Sequence, residues 1–387
     1  MPDKRTPLFI AASAGMFVFG TTLAILGALF GLPEMRARMH ADLAQQGDIL
    51  LVLYAGVFAS TIVVGPVIDR FGNKIVLTSS AVCVTGGLIA LASAGSFATA
   101  NVAAIVMGFG GGGLNTAANA LVADIYAEER GAMLNLVAVF FGAGAMLAPL
   151  IAIVAAERLT ILCASLAALC ALFYLALPFP PARESSGFSI FASIKAARYP
   201  AAMLFAMLLF CESGNESAIG GWASTYAGST GVAPASATWI LAAYWAGLMS
   251  GRIAGAKMVQ IVAKPRLLVA SGVGSAIGTA LLVLWPSAVA SFIIGLSFAA
   301  IYPTTLAIAA DRYQRLAGTI FGLLFAVGLV GGMVFPWAVG QISQRFGVRP
   351  AMLLPLLGAV AILVLVTAIR QRGAEARPAC PSESSGP

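Results

Sequence analysis

The sequence predicts an all-α membrane protein, with twelve transmembrane helices in two parallel six-helix halves. Three observations lead there. Hydrophobic residues make up 60% of the 387 and charged residues only 10%, with a mean hydropathy of +0.95, whereas soluble domains carry about 25% charged residues. The chain divides into twelve apolar runs, each long enough to cross a ~30 Å hydrocarbon layer as a helix. Finally, a shift of 187 residues superimposes Gly108 on Gly295, Asp124 on Asp311, Tyr126 on Tyr313, Gly144 on Gly331 and Pro149 on Pro336. Halves repeated in parallel enclose a midplane site that opens to each side in turn.

The spans are expected at roughly 8–31, 48–68, 75–95, 100–123, 131–155, 159–179, 200–227, 236–257, 266–285, 288–310, 316–341 and 349–370. The first follows Lys4 and Arg5, exceeds a signal-peptide core in length and has no cleavage site after it, so it reads as a helix. An N-terminal half over 1–179, a cytoplasmic linker over 180–199, a C-terminal half over 200–372 and a disordered cytoplasmic tail over 373–387 follow. With the N-terminus inside, Arg36, Arg38, Arg158, Arg345 and Arg349 face outward and the other basic residues face the cytoplasm. This bias places both termini in the cytoplasm and accounts for the net charge of +7 without a nucleic-acid partner. The expected setting is a plasma membrane, a bacterial inner membrane in particular, with the chain as a monomer.

Four of the five cysteines, Cys83, Cys163, Cys170 and Cys211, lie in apolar runs, and Cys380 lies in the tail. None has metal-ligand spacing. The single histidine, His40, sits in an outer loop. No metal, no cofactor and no enzymatic activity are expected.

Two carboxylates, Glu212 and Glu216, interrupt the seventh span one helical turn apart and share a face. Counting from Pro200 at ~1.5 Å per residue, Glu212 lies ~18 Å deep, near the middle of the layer. Charged groups there are costly and mark transport pathways. Close like charges in low dielectric cannot both ionise cheaply, a property suited to a proton switch. The alternative is that both bridge helices or face the outer vestibule. In the fourth span Asn115 and Asn119, one turn apart beside Gly110–Gly113, either contact a ligand or bond a neighbouring helix. Phe140, Phe141, Trp222, Tyr226, Tyr244, Trp245 and Tyr302 either stack on the apolar faces of a sugar or pack helices. Tyr302 falls opposite Asn115 under the 187-residue shift. Arg252 is expected to reach the cytoplasmic surface beside Lys257, leaving no cation for an anionic substrate.

Between spans two and three stands Gly65-Pro66-Val67-Ile68-Asp69-Arg70-Phe71-Gly72-Asn73-Lys74. It resembles the loop signature G-x-x-x-D-R-x-G-x-K of the major facilitator superfamily. The resemblance implies a cytoplasmic gate, to which Asp69, Arg70, Asp124, Arg130 and Asp311 are assigned. Gly214, Glu216, Gly220, Trp222 and Tyr226 resemble the helix 7 pattern G-x-E-x-x-x-G-x-W-x-x-x-Y of the fucose permease family of sugar:proton symporters. Leu114-Asn115-Thr116-Ala117-Ala118-Asn119 is similar to that family's L-E-T-A-A-N, and Leu134-Asn135-Leu136 to its L-N-L. Two departures stand out: Asn115 replaces a carboxylate associated with proton coupling, and Gly27-Ala28-Leu29-Phe30 occupies the stretch that holds an aspartate in helix 1. Those acids are not carried over.

The combined expectation is a secondary transporter of a small polar solute, a monosaccharide first. Asn115, Asn119, Phe141, Asn215, Glu216, Trp222, Tyr244 and Tyr302 would bind substrate. Glu216 is favoured for direct contact, and Glu212 as the replacement for the missing acids in proton coupling, with Glu216 sharing that role. The alternatives are an uncoupled uniporter, a proton-driven exporter of drugs or metabolites, and a non-transporting sensor.

Overall fold

The structure, a computed structural model, describes residues 5–182, 198–313 and 317–375. Nearly all of the expected linker and most of the expected tail lie outside the described residues. The described chain is helical: α1 (Arg5–Phe30), α2 (Pro33–Met39), α3 (Leu43–Ala92), α4 (Phe97–Ile125), α5 (Arg130–Ala155), α6 (Leu159–Ala176), α7 (Pro200–Ser229), α8 (Pro234–Ile261), α9 (Lys264–Leu284), α10 (Ala288–Arg312), α11 (Ala317–Phe346), α12 (Val348–Ala351) and α13 (Leu353–Glu375).

Local sequence explains where these helices begin. At the head of α3, Asp42 Oδ1 accepts from the Gln45 amide at 2.8 Å while Gln45 Oε1 accepts from the Asp42 amide at 3.1 Å, a reciprocal cap that satisfies two otherwise orphaned donors. Ser96 and Thr99 repeat the device for α4. Pro200, Pro234 and Pro265 stand in the first turns of α7, α8 and α9, where a missing N–H costs nothing.

Among the described residues, eight helical segments are long and apolar enough to cross a membrane. Two of them, Leu43–Ala92 and Arg130–Ala176, run 50 and 47 residues, about twice the ~20 that a crossing needs. Each is broken in the middle. Gly72 adopts φ +82° in α3, a backbone open to glycine, and a 3₁₀ turn at Ala156–Arg158 parts α5 from α6. The expected hairpin between spans two and three therefore turns on Gly72. Helices α7 and α8, of 30 and 28 residues, also have spanning length. Exposed Leu169, Leu172, Leu357 and Val364 give the helix surfaces an apolar coat suited to acyl chains.

The 187-residue repeat has a packing counterpart. Gly108 of α4 sits on the Leu53 carbonyl of α3, and Gly295 of α10 sits on the Tyr244 carbonyl of α8. Gly144 of α5 likewise meets the Phe17 carbonyl of α1, and Gly331 of α11 meets that of Phe210 in α7. At all four sites a side chain would collide with backbone, so the repeated glycines mark where helices touch most closely. Between the two halves, α3 packs on α11, α5 on α8 and α1 on α7.

Candidate functional site

The arrangement is clearest from α7, whose two faces do different things. Glu212, Glu216 and Gly220 recur at intervals of four and share one side. Gly220 lies under the Trp245 ring of α8 and against Gly27 of α1. Asn215 and Trp222, seven apart, share another side. The Trp222 indole donates to the Pro336 carbonyl of α11 at 2.9 Å, and Asn215 lies against Gly358 of α13. The 3.6-residue period thus sets Asn215 and Trp222, both expected to contact substrate, on a different side of α7 from the carboxylates; Trp222 ties α7 to α11, and the buried Asn215 amide has neither its oxygen nor its nitrogen partnered. Tyr226 also works as support, donating to the Val283 carbonyl of α9 at 2.7 Å.

Glu212 is 1% exposed. Its Oε2 accepts from the Ser213 hydroxyl at 3.3 Å, and its Oε1 is buried without a hydrogen-bond partner. Glu216 is partly buried, and the Tyr244 hydroxyl donates to its backbone carbonyl at 3.4 Å. Tyr244 of α8 and Tyr302 of α10 lie within electrostatic range of both acids, and Tyr54 of α3 within that of Glu216. Tyr302 stacks on Phe325 with ring centres 6.0 Å apart and planes at 17°. The Trp245 ring stands edge-on to Tyr244 at 4.9 Å and to Phe141 at 6.0 Å.

Arg252 overturns an expectation. Its guanidinium does not run to the surface but lies over the Phe141 ring, 5.7 Å from the centroid, a cation–π position across the halves. Its Nε is buried without a hydrogen-bond partner, and its charge acts on both Glu212 and Glu216. The physical reason is helical phase: Tyr244, Leu248 and Arg252 are four apart and share the face that α8 turns inward. Arg252 lies ~14 Å from the C-terminal end of α8 and Glu212 ~18 Å from the N-terminal end of α7, so the two are close in depth. The absence of an interior cation therefore no longer argues against an anionic substrate.

Asn115 and Asn119 satisfy each other in part. Asn119 Nδ2 donates to the Asn115 side-chain oxygen at 2.9 Å and to its backbone carbonyl at 2.8 Å. Both remain only partly buried. Of the residues assigned to the gate, Arg70 lies over the Phe71 ring at 5.2 Å, Asp69 is partly buried, and Asp124 and Arg130 are exposed. Asp311 pairs with Lys264 at 2.7 Å within the C-terminal half.

The end of the bundle that carries α2 is sealed between the halves. Gly27 meets the Gly220 carbonyl, and Gly47 meets Gly340. The Ser224 hydroxyl donates to the Gly27 carbonyl at 2.6 Å. Asp48 Oδ1 accepts from both the Trp337 indole and the Gln341 amide at 3.1 Å, and the Leu43 amide donates to Gln344 at 3.1 Å. The carboxylate pair lies one turn below this seal. Sequence reasoning singled out neither this latch nor Tyr54; an acid at the start of a span was the available signal for Asp48.

The sequence pattern of the Major Facilitator Superfamily matches residues 12–336 and again 205–385. The chain belongs to the Major Facilitator Superfamily. Members of this superfamily are transporters, not enzymes. One relative, the MFS-type transporter ppz2 of Metarhizium majus (strain ARSEF 297), is 33% identical over 135 residues, covering 33% of this chain and 22% of that protein. The matched stretch thus spans about a fifth of the relative's length. Three solved structures share the superfamily fold. The D-xylose-proton symporter superposes with a TM-score of 0.78 at 12% identity, covering 93% of this chain and 97% of that one. A point mutant of the nucleoside transporter NupG gives 0.76 at 14% identity over 95% and 99%. A point mutant of the E. coli fucose:proton symporter FucP gives 0.65 at 18% identity over 93% and 98%. At these identities the likeness establishes the fold alone.

Proposed function

We propose that this superfamily member moves a small neutral polyol, a monosaccharide first, by alternating access, with proton coupling through Glu212 and Glu216. The observation that carries the reading is that three of the buried polar atoms without partners, Glu212 Oε1, Trp245 Nε1 and Arg252 Nε, lie on the inward faces of α7 and α8. One is an acceptor and two are donors, and the two donors belong to side chains that lie against the Phe141 ring. A hydroxyl both donates and accepts, so vicinal hydroxyls match this set, while Phe141, Tyr244 and Trp245 offer faces for the C–H side of a ring. Asn115, Asn119 and Tyr302 extend the polar lining. The seal one turn above Glu216 makes this the state closed at the α2 end. The bias of basic residues supports placing that end outside, with both termini in the cytoplasm of a bacterial inner membrane.

The test is uptake into proteoliposomes of a panel of monosaccharides, nucleosides and cationic drugs, with internal pH followed by a dye. Sugar uptake accompanied by acidification is expected, with Glu216→Gln abolishing uptake and Glu212→Gln uncoupling it from protons. If neither substitution changes uptake or acidification, the proposal is wrong. Acidification-driven drug movement without sugar uptake would replace it with the exporter reading.

A further inference from the structure

We infer that Arg252 is the counter-ion that limits the carboxylate pair to one exchangeable proton, carried by Glu212, while Glu216 stays ionised. This inference rests on the proposed role of the pair in coupling. Arg252, inside the bundle over Phe141, brings one fixed positive charge to a site with two acids. A guanidinium does not give up its proton in a protein. With both acids ionised the cluster carries a net negative charge, and with both protonated it leaves a bare cation in low dielectric; one proton on the pair balances it.

Geometry tells the two acids apart. Glu212 is fully enclosed, one oxygen accepts a single long bond from Ser213 and the other has no donor. A charged carboxylate needs two or three donors to tolerate such a place, so Glu212 is the neutral member. Glu216 is less enclosed and faces the charge of Arg252. The groups that face the pair from other elements are Tyr54 of α3, Tyr244 and Arg252 of α8 and Tyr302 of α10. The three phenols are neutral at physiological pH, so Arg252 is the fixed charge among them. Because Glu216 matches that charge, Arg252 is not available to an anion, and the site suits a neutral substrate. Toward the exchangeable proton Arg252 acts through the carboxylates and is a positioning residue, whatever its Nε offers a substrate hydroxyl.

Infrared spectroscopy of the purified full-length protein at neutral pH, without substrate, tests this through the carbonyl stretch of protonated carboxylic acids. The wild type is expected to show one buried-acid band, which Glu212→Gln removes. Arg252→Gln removes the counter-ion, so both acids hold protons and the band grows about twofold. Arg252→Lys retains the charge and should return the wild-type intensity, which a purely structural role would not do. An unchanged band in Arg252→Gln, or a band that survives Glu212→Gln, overturns the inference. Because no substrate is present, failure of the sugar assay leaves this result standing, and failure here leaves the sugar assay standing.

Discussion

The two ends of the bundle are held by different chemistry. At the α2 end the halves meet backbone to backbone, Gly27 on Gly220 and Gly47 on Gly340, with Asp48 gathering two donors from α11. At the Gly72 end the bonds of two lysines stay inside one half each: Lys264 with Asp311, and Lys74 with the carbonyls of Leu175 and Leu177. A glycine crossing is all-or-none, since it depends on the absence of atoms and cannot relax around an added one. Charged side chains at the other end can exchange partners at little cost. A contact that separates cleanly faces one whose partners can be rewired.

The largest effect should come from adding atoms to the crossing. Gly27→Leu places a side chain on the Gly220 carbonyl, a clash costing about 1–3 kcal/mol or more. It is expected to prop the α2 end open, so that the thiol of an added Ser224→Cys substitution reacts with a membrane-impermeant reagent; unchanged protection would show that the crossing is not the seal. Next comes Trp222→Phe, which leaves the Pro336 carbonyl without its donor. That should lower thermal stability by about 1–3 kcal/mol while the infrared band of the buried acid persists, separating the supporting face of α7 from the face with the acids. A smaller loss is expected for Asp48→Ala, which removes the shared acceptor of Trp337 and Gln341. These bonds lie at an exposed end and are worth about 0.5–1 kcal/mol each, and the labelling assay used for Gly27→Leu should show faster modification, with Asp48→Asn in between. The smallest is Lys264→Gln: the pair with Asp311 is 33% and 67% exposed, and exposed pairs contribute about 0–1 kcal/mol. A large fall in melting temperature would mean that the Gly72 end is held more rigidly than its exposed charges suggest.

Much of the architecture was legible because it depends on properties that accumulate along the chain. Apolar length marks the spans, and Gly72 stands in a signature whose turn requires a positive φ. The site was legible in depth but not in direction. Glu212 and Glu216 stand out because a carboxylate at mid-layer is costly, with helix bridging or an outer vestibule as the alternative reading. Arg252 was misplaced because an arginine near a helix end has a bland explanation, the surface, and only its phase with Tyr244 and Leu248 pointed inward. Trp222 entered through a resemblance that runs along the chain, whereas contact depends on angle around the helix. Tyr54 had no signal, since nothing local distinguishes an aromatic residue facing another half from one facing a neighbour.

The repeat treats its two copies unequally. Gly108 and Gly295, like Gly144 and Gly331, kept the same task of letting backbones touch, but position 115 is asparagine where position 302 is tyrosine. Both acids, the arginine and two of the three tyrosines come from α7, α8 and α10, all in the C-terminal half; Tyr54 and Phe141 are the visitors from the other side. When halves rock as rigid bodies, such a cluster travels as a sealed battery: its internal charges keep their spacing while the aromatic wall slides past. Under the proposed coupling, a proton loaded on Glu212 at one membrane face would ride through the stroke without changing hands, and its release would wait for water to reach the carboxyl and accept it.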